Sequence, residues 1–290
     1  MKATYRRALP EEIPIAADVF LVSLAELARS RGLPMPAGYD RAAVVPAYEH
    51  LLESGIFELA ELDGKIVGLA AAIVRGPIWF LAMFWVLPEF KLQGIGGPLL
   101  ERVRRMGEAQ GASIRCTWSS IDFGAVAMYL KHGMLPGGPI FTFAGPVLHA
   151  PSHEAGLRVS ALDVSQASAI DHIVRGTPRA EDHAFWQASN LPGFQVEIDG
   201  RTIGYFYAKD GVIGPAAWLR EEDGPPFLAR ALEHAQTQAT DVKFVTLGCN
   251  TTAIHAATAA GLRLISASHF LHSDEFGKLD QYLPSGPALF

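Results

Sequence analysis

A mixed α/β fold, an α+β mixed sheet built twice in tandem, is the architecture this 290-residue sequence predicts. Three observations predict it. An apolar run, Pro77 to Leu87, breaks at Pro88 into a glycine-rich loop that opens directly into an amphipathic segment. Stretches of strand and helix periodicity alternate along the chain, as they do in α/β proteins. The same order of elements then recurs in the second half, the sign of duplicated structure.

Each element of the first half has a local reason. Thr4 to Ala8 reads as a strand, and about Ile13 to Ser30 and about Ala42 to Ser54 as helices. Ile56 to Leu62 and Lys65 to Ala70 flank Asp63-Gly64, whose residue types suit the tight turn of a β-hairpin. Ile78 to Val86 is an apolar strand. Pro98 to Gln110 is a helix, with Leu99, Leu100, Val103 and Met106 on one face and Glu101, Arg104, Arg105 and Glu108 opposite. Ser113 to Trp118 is a strand, Gly124 to His132 a helix, and Ile140 to Val147 a closing strand. His149 to Gly156, with Pro, Ser and Gly, reads as a linker that separates a first domain, 1–150, from a second, 151–290.

The recurrence is specific. Phe194 to Ile198, Asp199-Gly200 and Arg201 to Phe206 repeat the first hairpin, with Asp199 136 residues after Asp63. Asn250, Ala253, Ala257 and Gly261 repeat Asp122, Ala125, Tyr129 and Gly133 at an offset of 128. The eight-residue loss falls between these segments, where the glycine loop should be.

That loop, Lys91-Leu92-Gln93-Gly94-Ile95-Gly96-Gly97, carries the chemistry. A loop opening a helix presents backbone N–H groups at the positive end of the helix dipole, a place for an anion. Glycines let the main chain approach that anion closely, and Pro98 suits a first helical turn. The Walker pattern is excluded because Gly97 is followed by Pro-Leu; the dinucleotide fingerprint is excluded because position 99 is Leu.

Lys91-Leu-Gln-Gly94-Ile-Gly96, preceded by Val86-Leu-Pro88, resembles the Arg/Gln-x-x-Gly-x-Gly/Ala signature of the GNAT superfamily of N-acetyltransferases. Asp122-Phe-Gly-Ala125-Val-Ala-Met128-Tyr129-Leu-Lys-His-Gly133-Met134 resembles the later Asn-x-x-Ala-x-x-Leu-Tyr-x-x-x-Gly-Phe motif of the same family. Lys91, Asp122 and Met134 depart from the usual residues; Lys91 keeps a positive charge but lacks the planar fork of Arg. The resemblance implies two tandem GNAT-like acyl-CoA N-acyltransferase domains. It implies that Leu92, Gln93, Gly94, Ile95, Gly96 and Gly97, with Lys91 and Asp122, hold acetyl-coenzyme A. By the same resemblance, Phe84, Trp85 and Val86 pair with its pantetheine arm, and Tyr129 protonates the departing thiolate.

The second half has lost both parts. Ala216 to Phe227 contains no Gly-x-Gly, carries Glu221, Glu222 and Asp223, and Ala257 stands where Tyr129 does. Catalysis therefore belongs to the first half. Glu58 and Glu61 are candidate bases, but no base is identified, and an amine that arrives neutral or loses its proton through water is preferred. The segment Val19 to Glu53, with Tyr39, Tyr48, Glu26, Glu49 and Glu53, lies where the resembled family builds its acceptor pocket. The expected activity is acetyl transfer to an amine of a small molecule. The alternative is a catalytically silent coenzyme A sensor or interaction module.

Composition narrows the partners. The chain is 49% hydrophobic and 19% charged, with net charge −6 and a sequence pI near 5.9. Arg102 to Arg105 is the densest basic stretch, so neither nucleic acid nor an acidic membrane surface is expected. No signal-peptide pattern opens the sequence, and two distant cysteines, Cys116 and Cys249, fit a cytoplasmic protein. His269 and His272 suggest no third ligand, so no metal is expected. Arg175, Arg179, Glu181, Asp182 and His183, ahead of Phe185-Trp186, are read as a separate ligand site, a homodimer surface or a polar helix face. The tail Tyr282 to Phe290 is too apolar to stay in solvent and should dock on a domain or a partner.

Overall fold

The computed structural model describes residues 2–35, 38–120, 122–149 and 156–290. Residues 150–155 of the expected linker lie outside them. Contacts group the chain into two compact units: Met1–Thr117 with Asp122–Met134, and Trp118–Ile121 with Leu135–Phe290.

The first unit follows the expected order. Strand β1 (Thr4–Arg7) precedes helices α1 (Ile13–Ser30) and α2 (Arg41–Ser54), the latter capped by Asp40, whose carboxylate accepts from the Ala43 amide at 2.8 Å. Strands β2 (Ile56–Leu62) and β3 (Lys65–Arg75) form the hairpin. Asp63 and Gly64 have φ of 51° and 77°, the double positive φ that an Asp-Gly turn supplies. Strand β4 (Ile78–Val86), helix α3 (Gly96–Ala109), strand β5 (Ile114–Ser119) and helix α4 (Phe123–Lys131) complete the set. The sheet order is β1-β2-β3-β4-β5, antiparallel until the parallel β4–β5 pair. Helix α3 starts two residues earlier than its periodicity predicts, taking Gly96 and Gly97 into the helix.

The second unit begins with β6 (Leu135–Pro146) and β7 (Leu157–Ala161), then α5 (Val164–Val174) and α6 (Ala180–Ala188). Strands β8 (Gly193–Ile198), β9 (Arg201–Lys209) and β10 (Val212–Trp218) follow. Helix α7 (Gly224–Gln236), strand β11 (Asp241–Leu247), helix α8 (Thr251–Ala259), strand β12 (Arg263–His272) and the short β13 (Tyr282–Leu283) end it. The second hairpin repeats the first: Asp199 and Gly200 have φ of 50° and 79°.

The strand order of this unit is β12-β6-β11-β10-β9-β8-β7. The strand expected to close the first domain, β6, therefore groups with the second unit, antiparallel to both β11 and β12. Contacts thus divide the chain at residue 134, before β6, rather than at residue 150. The core of this unit gathers Trp218, Phe227, Leu232, Phe244, Ala253, Ala257 and Leu283. Each large apolar side chain so buried contributes about 1.5–3 kcal/mol.

Candidate active site

The site is built at the end of β4 in the first unit. Strand β4 pairs with β5 only from Ile78 to Leu81, the last pair being Leu81 with Thr117. The Thr117 hydroxyl closes the join by donating to the Leu81 carbonyl at 3.0 Å. Beyond it β4 keeps β3 as its neighbour through Val86 and, among the described residues, has no strand on its other edge. The Leu87 amide donates back to Val67 on β3 at 2.9 Å. Because groups along a strand alternate in direction, the amides of Phe84 and Val86 face the open edge. The Val86 carbonyl takes a 3.3 Å hydrogen bond from Ser23 of α1.

The same alternation sends the Phe84 and Trp85 side chains to opposite faces. The Phe84 ring lies 6.2 Å from the Tyr129 ring, and its tip would come within 3.1 Å of a Cβ on Gly96. A side chain at 96 would need the Phe84 ring to give way by a few tenths of an ångström. Trp85 meets Phe20 of α1 at 5.1 Å, and Phe20 in turn meets Tyr39 at 5.7 Å and Tyr48 at 6.2 Å. The sequence singled out Tyr39 and Tyr48 but not Phe20. No local signal marks Phe20, because which face of β4 is covered by α1 is decided by packing.

After β4, one helical turn at Pro88–Phe90 leads into the loop. Gln93 ties the loop back by donating its Nε2 to the Glu89 carbonyl at 2.8 Å, and the Tyr5 hydroxyl donates to the Ile95 carbonyl at 3.2 Å. Ile95 is buried and anchors the loop, whereas Leu92 is fully exposed. Leu92 and Gly94 have φ of 62° and 80°. Among the described residues, none of the amides of Leu92, Gln93, Gly94 and Ile95 finds a backbone acceptor. Gly96 and Gly97 follow as the first residues of α3, where helical N–H groups have no acceptor within the helix. The loop is thus a row of unspent donors at a helix N-terminus, with room over Gly94 and Gly97.

Lys91 lies at its edge, with Nζ 3.8 Å from the Asp122 carboxylate. Asp122 also caps α4, accepting from the Ala125 amide at 3.0 Å. Helix α4 buries Tyr129, and among the described residues no side-chain hydrogen bond engages its hydroxyl. Burial, and after it the negative charge of Asp122, pushes the Tyr129 phenol above its ordinary value. Tyr129 therefore keeps its proton throughout the physiological range.

The candidate bases are engaged. Glu58 is fully buried, and its Oε2 is ion-paired with Arg102 from α3. Glu61 is bound by Arg6 at 2.9 Å. Of these two candidate bases, Glu58 points inward, where Arg102 of α3 meets it. Glu26 is paired with Arg29, which holds it below the usual carboxylate range, and Glu49 and Glu53 are exposed. Among the described residues no group of three or more His, Cys, Asp or Glu could hold a metal ion, and no helix is long and apolar enough to cross a membrane.

Residues 24–134 match the acetyltransferase (GNAT) family. The matched stretch makes up most of the first unit. The fold of the whole chain is shared with solved structures at low identity. An acetyltransferase candidate from Pyrococcus horikoshii superposes with a TM-score of 0.78 at 15% identity, covering 99% of this chain and 96% of that one. A GCN5-related N-acetyltransferase from Sphaerobacter thermophilus gives 0.64 at 15%, covering 93% and 95%. A tandem GNAT protein from the clavulanic acid biosynthesis pathway gives 0.61 at 14%, covering 93% and 98%. The chain therefore shares the mixed α/β fold of these structures, a tandem GNAT protein among them. No curated protein matches the sequence. The loop of free amides, the open edge of β4 and Tyr129 all fall inside the matched residues.

The second unit lacks this arrangement. Leu219 donates to Ile203 at 2.9 Å as Leu87 does to Val67, which aligns Ala216, Ala217 and Trp218 with Phe84, Trp85 and Val86. After that point a single turn, Glu221–Asp223, runs straight into α7 at Gly224, with no loop between. Asp223 does not stand open to repel an anion, because Arg201 binds it at 2.9 Å. Arg175, Arg179, Asp182 and His183, expected as a ligand site, dimer surface or polar helix face, are all buried. Asp171 is their centre: it accepts from Arg179 at 2.6 Å and from the Tyr205 hydroxyl at 2.6 Å, and meets His183 Nε2 at 2.9 Å. Burial opposes its charge, but Arg179, His183 and Arg175 prevail and lower its pKa to about 2.

Proposed function

We propose that the first unit, as a GNAT domain, transfers the acetyl group of acetyl-coenzyme A directly to an amine of a small molecule, with Tyr129 as general acid. The observation that carries this reading is the convergence of unpaired loop amides, the unpaired edge of β4 and the phenol of Tyr129, whose ring lies 6.2 Å from Phe84 on that strand. The donors at 92–97 suit a diphosphate, and the glycine positions leave it room. Lys91 adds a positive charge once it exchanges Asp122 for a phosphate. The open edge at Phe84, Trp85 and Val86 suits the amide groups of a pantetheine arm.

When bound, acetyl-coenzyme A supplies the activated acetyl thioester. The chain's own residues do the rest. The outward amide of Phe84 or Val86 donates to the carbonyl oxygen as negative charge grows there. Tyr129 Oη gives its proton to the leaving sulfur, a role worth about 10²–10⁴-fold. Fixing amine and thioester in contact contributes on the order of 7–11 kcal/mol where alignment is good. With Glu58 and Glu61 both ion-paired, the amine arrives neutral or is deprotonated through water. The Phe20, Tyr39 and Trp85 wall favours an acceptor with an apolar or aromatic body.

The alternative, a coenzyme A-binding module without transfer, draws on the Lys91–Asp122 pair and the engaged carboxylates. One experiment separates the two. The purified chain is incubated with acetyl-coenzyme A and a panel of small amines while free thiol is measured. Acceptor-dependent thiol release supports transfer; coenzyme A binding with no release for any amine supports the silent module.

A further inference from the structure

The second unit has the splayed strand but not the cradle, and its splay is filled. Strand β10 pairs with β11 only at Val212 and Ile213. Beyond that point Tyr282–Leu283 pairs antiparallel with β10, Ala216 facing Leu283 and Ala217 facing Tyr282. These are the positions aligned with Phe84 and Trp85, on the edge that the first unit leaves open. Asn250, the counterpart of Asp122, caps α8 through its oxygen at 2.9 Å and donates its Nδ2 to the Tyr282 carbonyl at 3.2 Å. Leu283 joins the same core as Ala253 and Ala257. Both walls of the slot, strand and helix cap, hold the chain itself.

The segment is anchored further on. Arg179 Nη1 donates to the Tyr282 hydroxyl at 2.8 Å and to the Phe290 carbonyl at 3.1 Å, and Arg175 Nη2 donates to the same carbonyl at 2.8 Å. The Phe290 ring stacks on Phe270 at 4.9 Å with 12° between planes. Tyr282, Leu283, Leu289 and Phe290 are all buried.

We infer that the second unit has exchanged an acyl-carrier slot for a peptide-strand slot, and that residues 282–290 are its resident occupant. The comparison of slots rests on the cofactor placement proposed for the first unit. The ligand class is an extended backbone with an aromatic side chain at the position of Tyr282. It is recognised by β-strand addition on β10, by the Asn250 amide and by two buried guanidinium groups.

Hydrogen exchange on the full-length protein, with and without excess coenzyme A, tests this. Amides within 216–217 and 282–283 should exchange slowly without ligand, protected by about 100-fold or more, as paired core backbone is. Coenzyme A should leave them unchanged while slowing 84–86 and 92–97. Fast exchange at 216–217 without ligand, or slowing of that stretch by coenzyme A, overturns the inference. If 84–86 and 92–97 fail to respond, the proposed function fails, while slow exchange at 216–217 and 282–283 still upholds the occupied slot. The variant Asn250→Ser keeps a helix-capping oxygen but loses the donor to Tyr282. It should speed exchange at 282–283 about tenfold with α8 unaffected, in line with loss of one buried hydrogen bond. Unchanged exchange there removes Asn250 from the recognition of the segment.

Discussion

The two units start from the same hairpin and the same splayed strand and end with opposite contents. In the first, β4 parts from β5 after Leu81, a loop of free amides follows, and Tyr129 sits behind the gap. In the second, β10 parts from β11 after Ile213, the turn runs straight into α7, Ala257 replaces the tyrosine, and the chain's own β13 occupies the gap. The comparison separates fold from chemistry. Splaying belongs to the sheet and survives in both units; anion binding needs the loop, and proton donation needs the phenol. A splay without a ligand leaves strand donors and acceptors unpaired, which is costly in a buried place, and a segment of chain meets that need.

The comparison breaks first at Tyr129. Tyr129→Phe should lower kcat by about 10²–10⁴-fold with coenzyme A affinity retained. A turnover equal to wild type in steady-state assays would remove the phenol from the mechanism and make the first site no more catalytic than the second. In the second unit the largest effect is on stability. Asp171→Asn leaves Arg179, which is fully buried, without its counter-charge, a loss of about 3–5 kcal/mol read as a lower unfolding midpoint in denaturant. Coenzyme A affinity of the folded protein should not move. The same carboxylate sets an acid limb. Because Asp171 is lowered from 3.8 to about 2 on folding, the unfolded chain binds its proton first as pH falls. Its stabilising share, roughly 2 kcal/mol, is complete above the ordinary carboxylate range and disappears between about pH 4 and pH 2. Thermal melts across that window should lose this slope in Asp171→Asn.

Smaller effects sharpen the picture of the cradle. Gly94→Val puts a β-branched residue at φ 80° with open space around it, so the penalty is conformational, about 1–2 kcal/mol. Coenzyme A affinity measured by calorimetry should fall by roughly tenfold. Lys91→Ala should weaken it only about two- to threefold, since the ammonium is half-exposed, screened and already shared with Asp122. A loss as large as that of Gly94→Val would mean that the lysine, rather than the amides, carries phosphate binding.

Much of the first unit's backbone was legible because its signals are local. The Asp-Gly turns and the loop that opens into α3 each depend on a few neighbouring residues, and each lies where the residue types place it. The helix and strand limits drift by a residue or two, as for α3, where Gly96 and Gly97 join the helix ahead of Pro98. The burial of Glu58 was not legible, because alternation along β2 does not say which face a helix will cover; Arg102 of α3 meets it there. The charged stretch from Arg175 to His183 left a ligand site, a homodimer surface and a polar helix face all open for the same reason. Its partner Asp171 and the phenols of Tyr205 and Tyr282 come from other elements.

The amino-acid sequence by itself determined the duplicated hairpins, the loop that leads into α3, and which half keeps a tyrosine at the helix behind it. These are matters of backbone conformation and short-range spacing, settled within a turn or two of chain. Only the tertiary structure decided that β6 groups with the second unit, that Glu58 and Asp171 lie buried in ion pairs, and that Tyr282–Leu283 fills the gap beside β10. Strand pairing and burial are chosen by partners distant in the chain, and a strand's own residues state that it will pair without stating with which edge.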